Sequence, residues 1–299
     1  MNRFDLLEVN AKLVALSVWR YSAYDGRVAS SIDNSRFRWI RPGIETLASN
    51  FSLPRHRHLR AYATVVLSGC FEESGYNGRI LATAGDVLIH PALDCHGNQM
   101  VSAGVKLIRL DWQDESGVGG LYHLDNVDEL ARAAEKDVVE TSYALKRALK
   151  EKAACCPGQR NDWPDLLLCD LTKHACLEIG TWAEVNGLAR ETVCRGFATA
   201  YGTTPSVLRA ELRARSAWLR ITRTPDSLCS IAADTGFADQ AHMTRWVRRV
   251  TGTTPAVWRR NALGFRAIMD NGTPEVFNRI GPRFDSPTLA RAAGSEENV

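Results

Sequence analysis

The chain has 299 residues, a length that favours two domains, and its hydrophobic content of 45% is ordinary for a globular protein. No stretch approaches the ~20 apolar residues of a membrane span, and a net charge of +3 is small for a protein that coats nucleic acid without sequence preference. The eight cysteines show no C-x-x-C spacing, and the apolar run Leu13–Trp19 is too short for a signal peptide. These features favour a cytoplasmic protein with reduced thiols.

The first half of the chain has a hydrophobic period of two, which is typical of strands. After an N-terminal extension over residues 1–35, short apolar runs between turn signals predict strands at Ala63–Gly69, Arg79–Ala84, Asp86–His90 and Val105–Leu110. Many short strands at this spacing are typical of a barrel or jelly roll. We therefore expect a β-rich domain over residues 36–115.

Three histidines of this half are candidate ligands. His56 and His58 are two residues apart, so on a strand they face the same side, and we expect His96 to return to that side. Three imidazoles can hold zinc with an open fourth position. Two alternatives remain: the histidines line a pocket for a small effector, or they lie at the barrel mouth with neither role. Glu72 and Glu73 are expected to be solvated.

Helical spacing replaces the strand pattern after the predicted barrel. Apolar residues recur at helical intervals over Val127–Ala154, with a break expected near Glu140–Ser142. The Pro- and Gly-containing segment Cys155–Asp162 reads as a linker to the second domain.

The second half contains a repeat. The tetrad Gly-Thr-Thr-Pro occurs twice and closes two similar segments, Gly187–Arg209 and Gly236–Arg259. Matching residues lie 49 positions apart at the start of the segments and 50 positions apart after a one-residue insertion. A repeat of this length indicates one structural unit built twice.

Each copy of the repeat has the order of a helix-turn-helix motif. A small residue (Ala183, Ala232) lets two helices approach closely, and four positions later a glycine (Gly187, Gly236) suits a left-handed turn. A large apolar residue and a second helix follow. The exposed faces of these second helices carry groups suited to bases and phosphates of a major groove: Arg190, Glu191, Cys194 and Arg195, then Asp239, Gln240, Thr244, Arg245 and Arg248. Two copies of the whole pattern outweigh the alternative of an ordinary solvated face.

Basic residues are concentrated in the part of the chain that contains the repeat. From Leu166 to Ala262 the chain holds 13 Lys and Arg against 8 Asp and Glu, whereas the remainder holds 24 against 26. Basic charge concentrated in one segment is expected for a protein that binds DNA.

The segment Leu166–Arg260 resembles the DNA-binding domain of AraC/XylS-type transcription regulators, and its second half, SIAADTGFADQAHMTRWVRRVTGTTPAVWRR, is close to the signature of that family. The resemblance implies two helix-turn-helix units within residues 165–265, joined by a long helix at about Ser206–Ile221. It also implies recognition helices in successive major-groove faces ~34 Å apart. It adds His242 to the candidate DNA contacts. The chain departs from the family in having Ala189 and Ala238 where serine usually caps both recognition helices. Each helix then lacks a side-chain cap, unless Asp239 takes over in the second.

The first half resembles the cupin domain that such regulators often carry as a sensor. Gly85, Pro91 and His96 match the second cupin motif, with Leu93 in place of its usual glycine, and the H-x-H of the first motif is also present. Tyr62 and Ala63 stand where metal-binding cupins have a glutamate. The resemblance therefore leaves the histidines as an effector pocket or as a zinc or iron site.

The resemblance implies double-stranded DNA, a small-molecule effector and RNA polymerase as partners. Residues 120–155 would form a homodimer contact, or instead pack on their own barrel. We expect an α+β protein with an N-terminal cupin-like β-barrel and a C-terminal all-α domain containing two helix-turn-helix motifs. We expect no enzyme activity and no required cofactor. A cupin metalloenzyme fused to a DNA-binding module is the alternative, and residues 266–299 are expected to be a disordered tail.

Overall fold

A computed structural model describes residues 37–38, 40–49, 51–113, 118–155, 162–174 and 177–270, with side chains up to residue 262. The described residues up to Arg260 belong to one compact unit. The predicted extension, residues 1–35, and residues 271–299 of the predicted tail lie outside the described part. Residues 266–270 are helical, so a tail that starts at residue 266 is wrong for these five positions.

The N-terminal half forms two antiparallel sheets. The strands in chain order are β1 Gly43–Ala48, β2 Ser52–Arg57, β3 Tyr62–Ser68, β4 Cys70–Gly75, β5 Gly78–Thr83, β6 Asp86–His90, β7 Cys95–Met100, β8 Gly104–Asp111 and β9 Gly120–His123. One sheet has the order β1-β8-β3-β6-β9 and the other the order β2-β7-β4-β5. The four predicted strands are present within one or two residues, and the other five were not predicted.

The central strands are hydrophobic on both faces. In β3 the neighbouring residues Val65 and Val66 are both fully buried, but they belong to different cores. Val66 packs between the two sheets with Phe71 and Leu107, while Val65 packs on the outer face of the first sheet. Successive side chains of a strand point to opposite faces. The first sheet is therefore covered on both sides.

Two helices cover that outer face, α1 Asp128–Ala134 and α2 Val138–Leu149. The predicted break near Glu140–Ser142 is wrong. The chain breaks earlier because the Asp137 side chain accepts hydrogen bonds from the first backbone N–H groups of α2 and starts a new helix there.

The apolar stripe of α1 and α2 packs within the chain. Its buried residues share a core with Val65 and other residues of the first sheet: Leu130, Ala134, Leu145 and Leu149. The sequence predicted two alternative roles for this stripe: a dimer contact, or packing on the barrel of the same chain. These four side chains pack on their own sheet.

The C-terminal half is helical. Its helices are α3 Trp163–Lys173, α4 Ile179–Val185, α5 Arg190–Tyr201, α6 Pro205–Arg223, α7 Leu228–Asp234, α8 Gln240–Thr251 and α9 Pro255–Asp270. The predicted long helix corresponds to α6, which begins one residue earlier and ends two residues later than expected. Thr204 caps its first turn and Pro205 occupies its first position, which is where proline is tolerated best. None of the helices described is long and apolar enough to cross a membrane.

The glycine that ends α4 offers a stability test. Gly187 has a φ of 67°, and a Cβ built there would meet nothing within 4 Å, so Gly187→Ala costs backbone strain alone. We expect a loss of about 1–2 kcal/mol in the free energy of unfolding, measured by urea denaturation.

Gly180→Ala is the matched control. Gly180 lies inside α4, and a Cβ there also meets nothing within 4 Å. Alanine should stabilise that position by about 0.5–1 kcal/mol. Equal effects of the two substitutions would contradict a special turn at Gly187.

Candidate functional site

Two helix pairs, α4–α5 and α7–α8, are joined by the same turn. Gly187 and Gly236 have φ values of 67° and 76°. In the first turn the N–H of Leu188 donates to the carbonyl of Ala183 at 2.9 Å, and in the second the N–H of Phe237 donates to the carbonyl of Ala232 at 2.9 Å. This pattern satisfies the last carbonyls of the first helix and fixes the entry to the second.

The one-residue insertion lies inside the second turn and sets the register of α8. The cap of α5 is Ala189, which offers no side-chain hydrogen bond. The cap of α8 is Asp239, whose side chain accepts from the backbone N–H of His242 at 2.6 Å. Asp239 therefore takes the cap position in place of Ala238, which is one of the two alternatives that the sequence left open. From this point on, equivalent residues of the two copies are 50 positions apart.

This register makes Arg195 and Arg245 equivalent. Both are exposed on the side of their helix opposite the buried stripe, which is formed by Val193 and Phe197 in α5 and by Met243 and Val247 in α8. Other candidate contacts are exposed on the same helices: Arg190, Glu191, Gln240 and Arg248. Their guanidinium, carboxylate and amide groups match the donors and acceptors that protein side chains offer to bases and phosphates.

Four of the sequence candidates are less available. Cys194 and Thr244 are half-buried. The ring of His242 lies edge-on against Phe237 with centroids 5.3 Å apart, and its Nε2 accepts from the indole N–H of a neighbouring tryptophan. Asp239 is occupied by its capping hydrogen bond. Asp239 and His242 therefore help to hold α8 in place.

One exposed cation of α8 was missed from the sequence. The guanidinium of Arg249 lies over the ring of Trp246, 4.9 Å from its centroid. The signal was present in the sequence, since residues three apart on a helix are neighbours.

A second candidate site is a histidine cluster inside the barrel. The ring centroids of His56 and His58 are 4.7 Å apart, those of His56 and His96 are 4.7 Å apart, and those of His58 and His96 are 5.2 Å apart. His58 and His96 are almost completely buried, and His56 is half-buried. β2 and β7 bring them together, because His56 pairs with His96 in the sheet register.

Hydrogen bonds fix the orientation of the three imidazoles. Nδ1–H of His56 donates to the carbonyl of Pro54 at 2.9 Å, and Nδ1–H of His58 donates to the carbonyl of Arg38 at 2.8 Å. Nδ1 of His96 lies 3.1 Å from the Asp94 carboxylate. In the neutral rings of His56 and His58, the hydrogen bond donated by Nδ1–H leaves Nε2 as the nitrogen that carries the lone pair.

The electrostatics keep two of the rings neutral. Burial, followed by the proximity of His96, lowers the pKa of His56 to about 4 and that of His58 to about 2. For His96, burial alone would lower the pKa, but the carboxylates of Glu73 and Asp94 raise it above its usual value.

The cluster is larger than the sequence indicated. Glu73 is buried, so its expected solvation is wrong; its carboxylate accepts a hydrogen bond from Asn98 and lies 3.7 Å from Nδ1 of His90. Asp94 lies 3.1 Å from both His90 and His96. Burial alone would raise the pKa of Asp94, but these two hydrogen bonds hold it well below its usual value. The long-range pairing of β4 with β7 causes this burial, and no local signal reports it.

The donor set fits a divalent transition metal ion. Nε2 of His58 is buried and has no hydrogen-bond partner among the residues that the structure describes. The ligand nitrogens of His56, His58 and His96 lie within 4.8 Å of one another. A carboxylate or carbonyl behind each ring is the usual arrangement around metal-bound histidines. Nε2 of His96 currently contacts the hydroxyl of Tyr62 at 3.1 Å, so a metal would displace that hydroxyl.

The outer face of the second sheet contacts the helices. Arg55 and Arg57 of β2 form ion pairs of 2.6 and 2.9 Å with Glu211 of α6. Arg79 of β5 forms a 2.9 Å ion pair with Asp165 of α3. The hydrophobic core of the first helix pair also includes Cys95 of β7 and Tyr76 of the turn between β4 and β5.

The cap register predicts the outcome of three substitutions. Ala189→Asp should stabilise the protein by about 1 kcal/mol, because it supplies the missing cap of α5, and Asp239→Ala should destabilise it by a similar amount. Ala238→Asp is the control and should change little, since this residue precedes the cap. Chemical denaturation measures all three, and a stabilisation by Ala238→Asp as large as that by Ala189→Asp would contradict the register.

Comparison with known proteins places the helical region in a family. The model of the family described as "Helix-turn-helix domain" matches residues 182–261. A comparison with curated protein sequences finds no significant match.

Solved structures similar to the chain include three regulators. ToxT from Vibrio cholerae, solved with an unsaturated fatty acid bound, is 10% identical with a TM-score of 0.34, covering 73% of this chain and 94% of ToxT. The C-terminal domain of AraT, a response regulator from Geobacillus stearothermophilus, is 19% identical with a TM-score of 0.31, covering 32% of this chain and 83% of that one. The DNA-binding domain of AdpA in complex with a target DNA is 22% identical with a TM-score of 0.32, covering 38% of this chain and all of that one. The match to the family model alone identifies residues 182–261 as a helix-turn-helix domain of the AraC type, as the repeated sequence motif predicted.

Proposed function

We propose that the chain is a transcription regulator that binds double-stranded DNA sequence-specifically through two helix-turn-helix units and responds to a small effector in its barrel. The observation that carries this proposal is the repeated turn, which gives Arg195 and Arg245 equivalent exposed positions in the segment that matches the family. The DNA-binding domain would comprise residues 165–265.

In this proposal α5 and α8 are the recognition helices. Arginine can donate two parallel hydrogen bonds to a guanine or pair with a phosphate. Arg195 and Arg245 are exposed, and neither forms an ion pair with another residue that the structure describes. The helix between the two units, α6, has 19 residues and is therefore about 28 Å long. That length supports a spacing of the order of one DNA helical turn between the units.

The barrel is proposed to be a cupin-type sensor over residues 36–115. Eight strands in the orders β1-β8-β3-β6 and β2-β7-β4-β5 support a jelly roll, with β9 added at one edge. The histidine cluster lies between the sheets and offers polar groups in an apolar surrounding, which is typical of a ligand site.

The occupant of the cluster is either a small polar effector or a zinc or iron ion held by His56, His58 and His96. A homodimer through residues 120–155 and a contact with RNA polymerase stay predictions that follow from the family resemblance. The cupin metalloenzyme fused to a DNA-binding module stays the alternative function. Turnover by metal-loaded protein would favour that alternative.

The proposal is tested by selecting DNA. The purified full chain is incubated with random fragments, and the bound fragments are sequenced. We expect one asymmetric site that spans two adjacent major grooves, with an affinity that falls steeply as salt is added because phosphate contacts release counterions. Recovery of no preferred sequence, or binding that is flat between low and moderate salt, would contradict the proposal.

The two equivalent arginines give a sharper test. Arg195→Ala and Arg245→Ala should each weaken binding to the selected site by about 1–3 kcal/mol. Arg147→Ala is the control, because Arg147 is exposed on α2, on the outer face of the barrel. Binding is measured by fluorescence anisotropy.

A loss confined to certain DNA sequences would indicate base contact, whereas a uniform loss with a shallower salt dependence would indicate phosphate contact. Wild-type affinity in both variants would remove α5 and α8 from the interface.

A further inference from the structure

Strand β2 connects the histidine cluster with the helical domain through neighbouring residues. Arg55, His56 and Arg57 are the last residues of β2, and His58 directly follows it. Side chains in this segment alternate between two environments: Arg55 and Arg57 contact Glu211 of α6, while His56 and His58 belong to the histidine cluster. Side chains that alternate along an extended segment share one backbone. A backbone displacement at the histidines would therefore also displace the arginines.

Glu211 is held on three sides at this contact. Its carboxylate pairs with Arg55 at 2.6 Å and Arg57 at 2.9 Å, and it accepts a hydrogen bond from the hydroxyl of Tyr76 at 3.2 Å. The side chains of both arginines are 10% exposed and that of Glu211 is 13% exposed. The carboxylate of Glu211 is largely shielded from water and depends on these partners, because moving it away from the arginines would leave an unpaired buried charge.

The contact joins β2 to the end of the first helix pair and to α6. Arg55 also donates to the carbonyl of Tyr201, the last residue of α5, while Glu211 belongs to α6, the helix that leads to the second pair. Arg57 donates to the carbonyl of Leu93, next to Asp94 of the cluster. The same two arginines thus contact α5, α6 and the segment that orients His96.

A bound metal ion would change the spacing of the cluster. The ligand nitrogens of the three histidines lie within 4.8 Å of one another. Nitrogens bound to one zinc ion at 2.0–2.1 Å in tetrahedral geometry lie about 3.4 Å apart. An ion bound by all three histidines would bring their ligand nitrogens to this separation. Nε2 of His58 has no hydrogen-bond partner among the described residues, so its binding to the ion breaks no hydrogen bond there.

We propose that β2 couples binding of a divalent transition metal ion at His56, His58 and His96 to the placement of α6, with Glu211 as the residue that receives the movement. This coupling rests on the proposed DNA-binding function and supplies its regulation. Thermodynamic linkage makes it reciprocal: if zinc changes the affinity for DNA by some factor, DNA changes the affinity for zinc by the same factor.

The experiment uses the full chain, stripped of metal with a chelator, and a DNA fragment from the selection. DNA affinity is measured with and without stoichiometric Zn²⁺, and Zn²⁺ affinity is measured with and without DNA. We expect one zinc ion per chain and a change of tenfold or more in both affinities by the same factor.

Substitutions at the contact between Arg55 and Glu211 test whether it carries the coupling between zinc binding and DNA binding. Glu211→Gln should still bind one zinc ion, but the coupling factor should fall below threefold, and Arg55→Gln should have the same effect by removing the other side of the pair. Glu129→Gln is the charge-matched control, because Glu129 is exposed on α1. It should keep the coupling of the wild type.

Histidine variants assign the ion to the cluster. His58→Ala should lose the stoichiometric zinc and the zinc response while still binding DNA. His174→Ala, at an exposed histidine, should keep both. Thermal melts of each variant identify any that fails to fold.

Three outcomes overturn the proposal: the wild type binds no zinc at one-to-one stoichiometry, zinc leaves the DNA affinity unchanged, or folded Glu211→Gln and Arg55→Gln keep the full coupling. Failure of the proposed function is distinguishable, because it appears as the absence of DNA binding in both the metal-free and the zinc-loaded wild type.

Discussion

The alternation of side chains along β2 is the constraint that connects the two halves of this protein. An extended segment with the sequence Arg-His-Arg-His places its arginines and histidines on different sides. Arg55, His56 and Arg57 end β2 and His58 follows it; the two histidines join the cluster and the two arginines reach Glu211 on the helical domain. Four consecutive residues therefore belong at once to the interior cluster and to the contact between sheet and helices.

The first helix pair is attached to the sheets by more than a linker. Its hydrophobic core includes Cys95 of β7 and Tyr76 of the turn between β4 and β5, together with Leu208 of α6. Farther along α6, Trp218 packs against Trp258 of α9 with ring centroids 5.6 Å apart. The first part of α6 thus packs with the first helix pair and the sheets, and its later part packs with α9.

The repeated glycine turn sets the geometry of the candidate DNA surface. A left-handed residue after the first helix fixes where the second helix begins, and the two copies satisfy the same backbone groups. Within this shared frame the copies differ in chemistry. Helix α8 has an aspartate cap and an arginine stacked on tryptophan, whereas α5 begins after an alanine that offers no side-chain cap. Of these two helices, α8 is therefore the better stabilised.

The sequence predicted those structural elements whose formation depends on the conformational preferences of neighbouring residues. The αL turns at Gly187 and Gly236 follow from what glycine alone adopts without strain, and β3 follows from its run of β-branched residues. The two-residue spacing of His56 and His58 was enough to predict that both lie on one face of an extended segment. Such features need no knowledge of distant residues.

Parts that depend on distant pairing were not predictable. β2 and β7 are polar segments with no alternating apolar pattern, and they form strands because they pair with each other and bury histidines. Glu73 reads as a solvated residue after a turn, yet pairing of β4 with β7 buries it. The repeat places a single inserted residue between Phe237 and Val247, so the sequence left Ala238 and Asp239 as alternatives for the cap.

The most direct test of the account is a hydroxyl-radical footprint of the full chain on a DNA fragment that it selects. Two helix-turn-helix units separated by α6 should protect two backbone segments on one face of the duplex, with centres about 10 base pairs apart. A single protected segment, or protection with no fixed position on the sequence, would contradict the claim that both units read DNA.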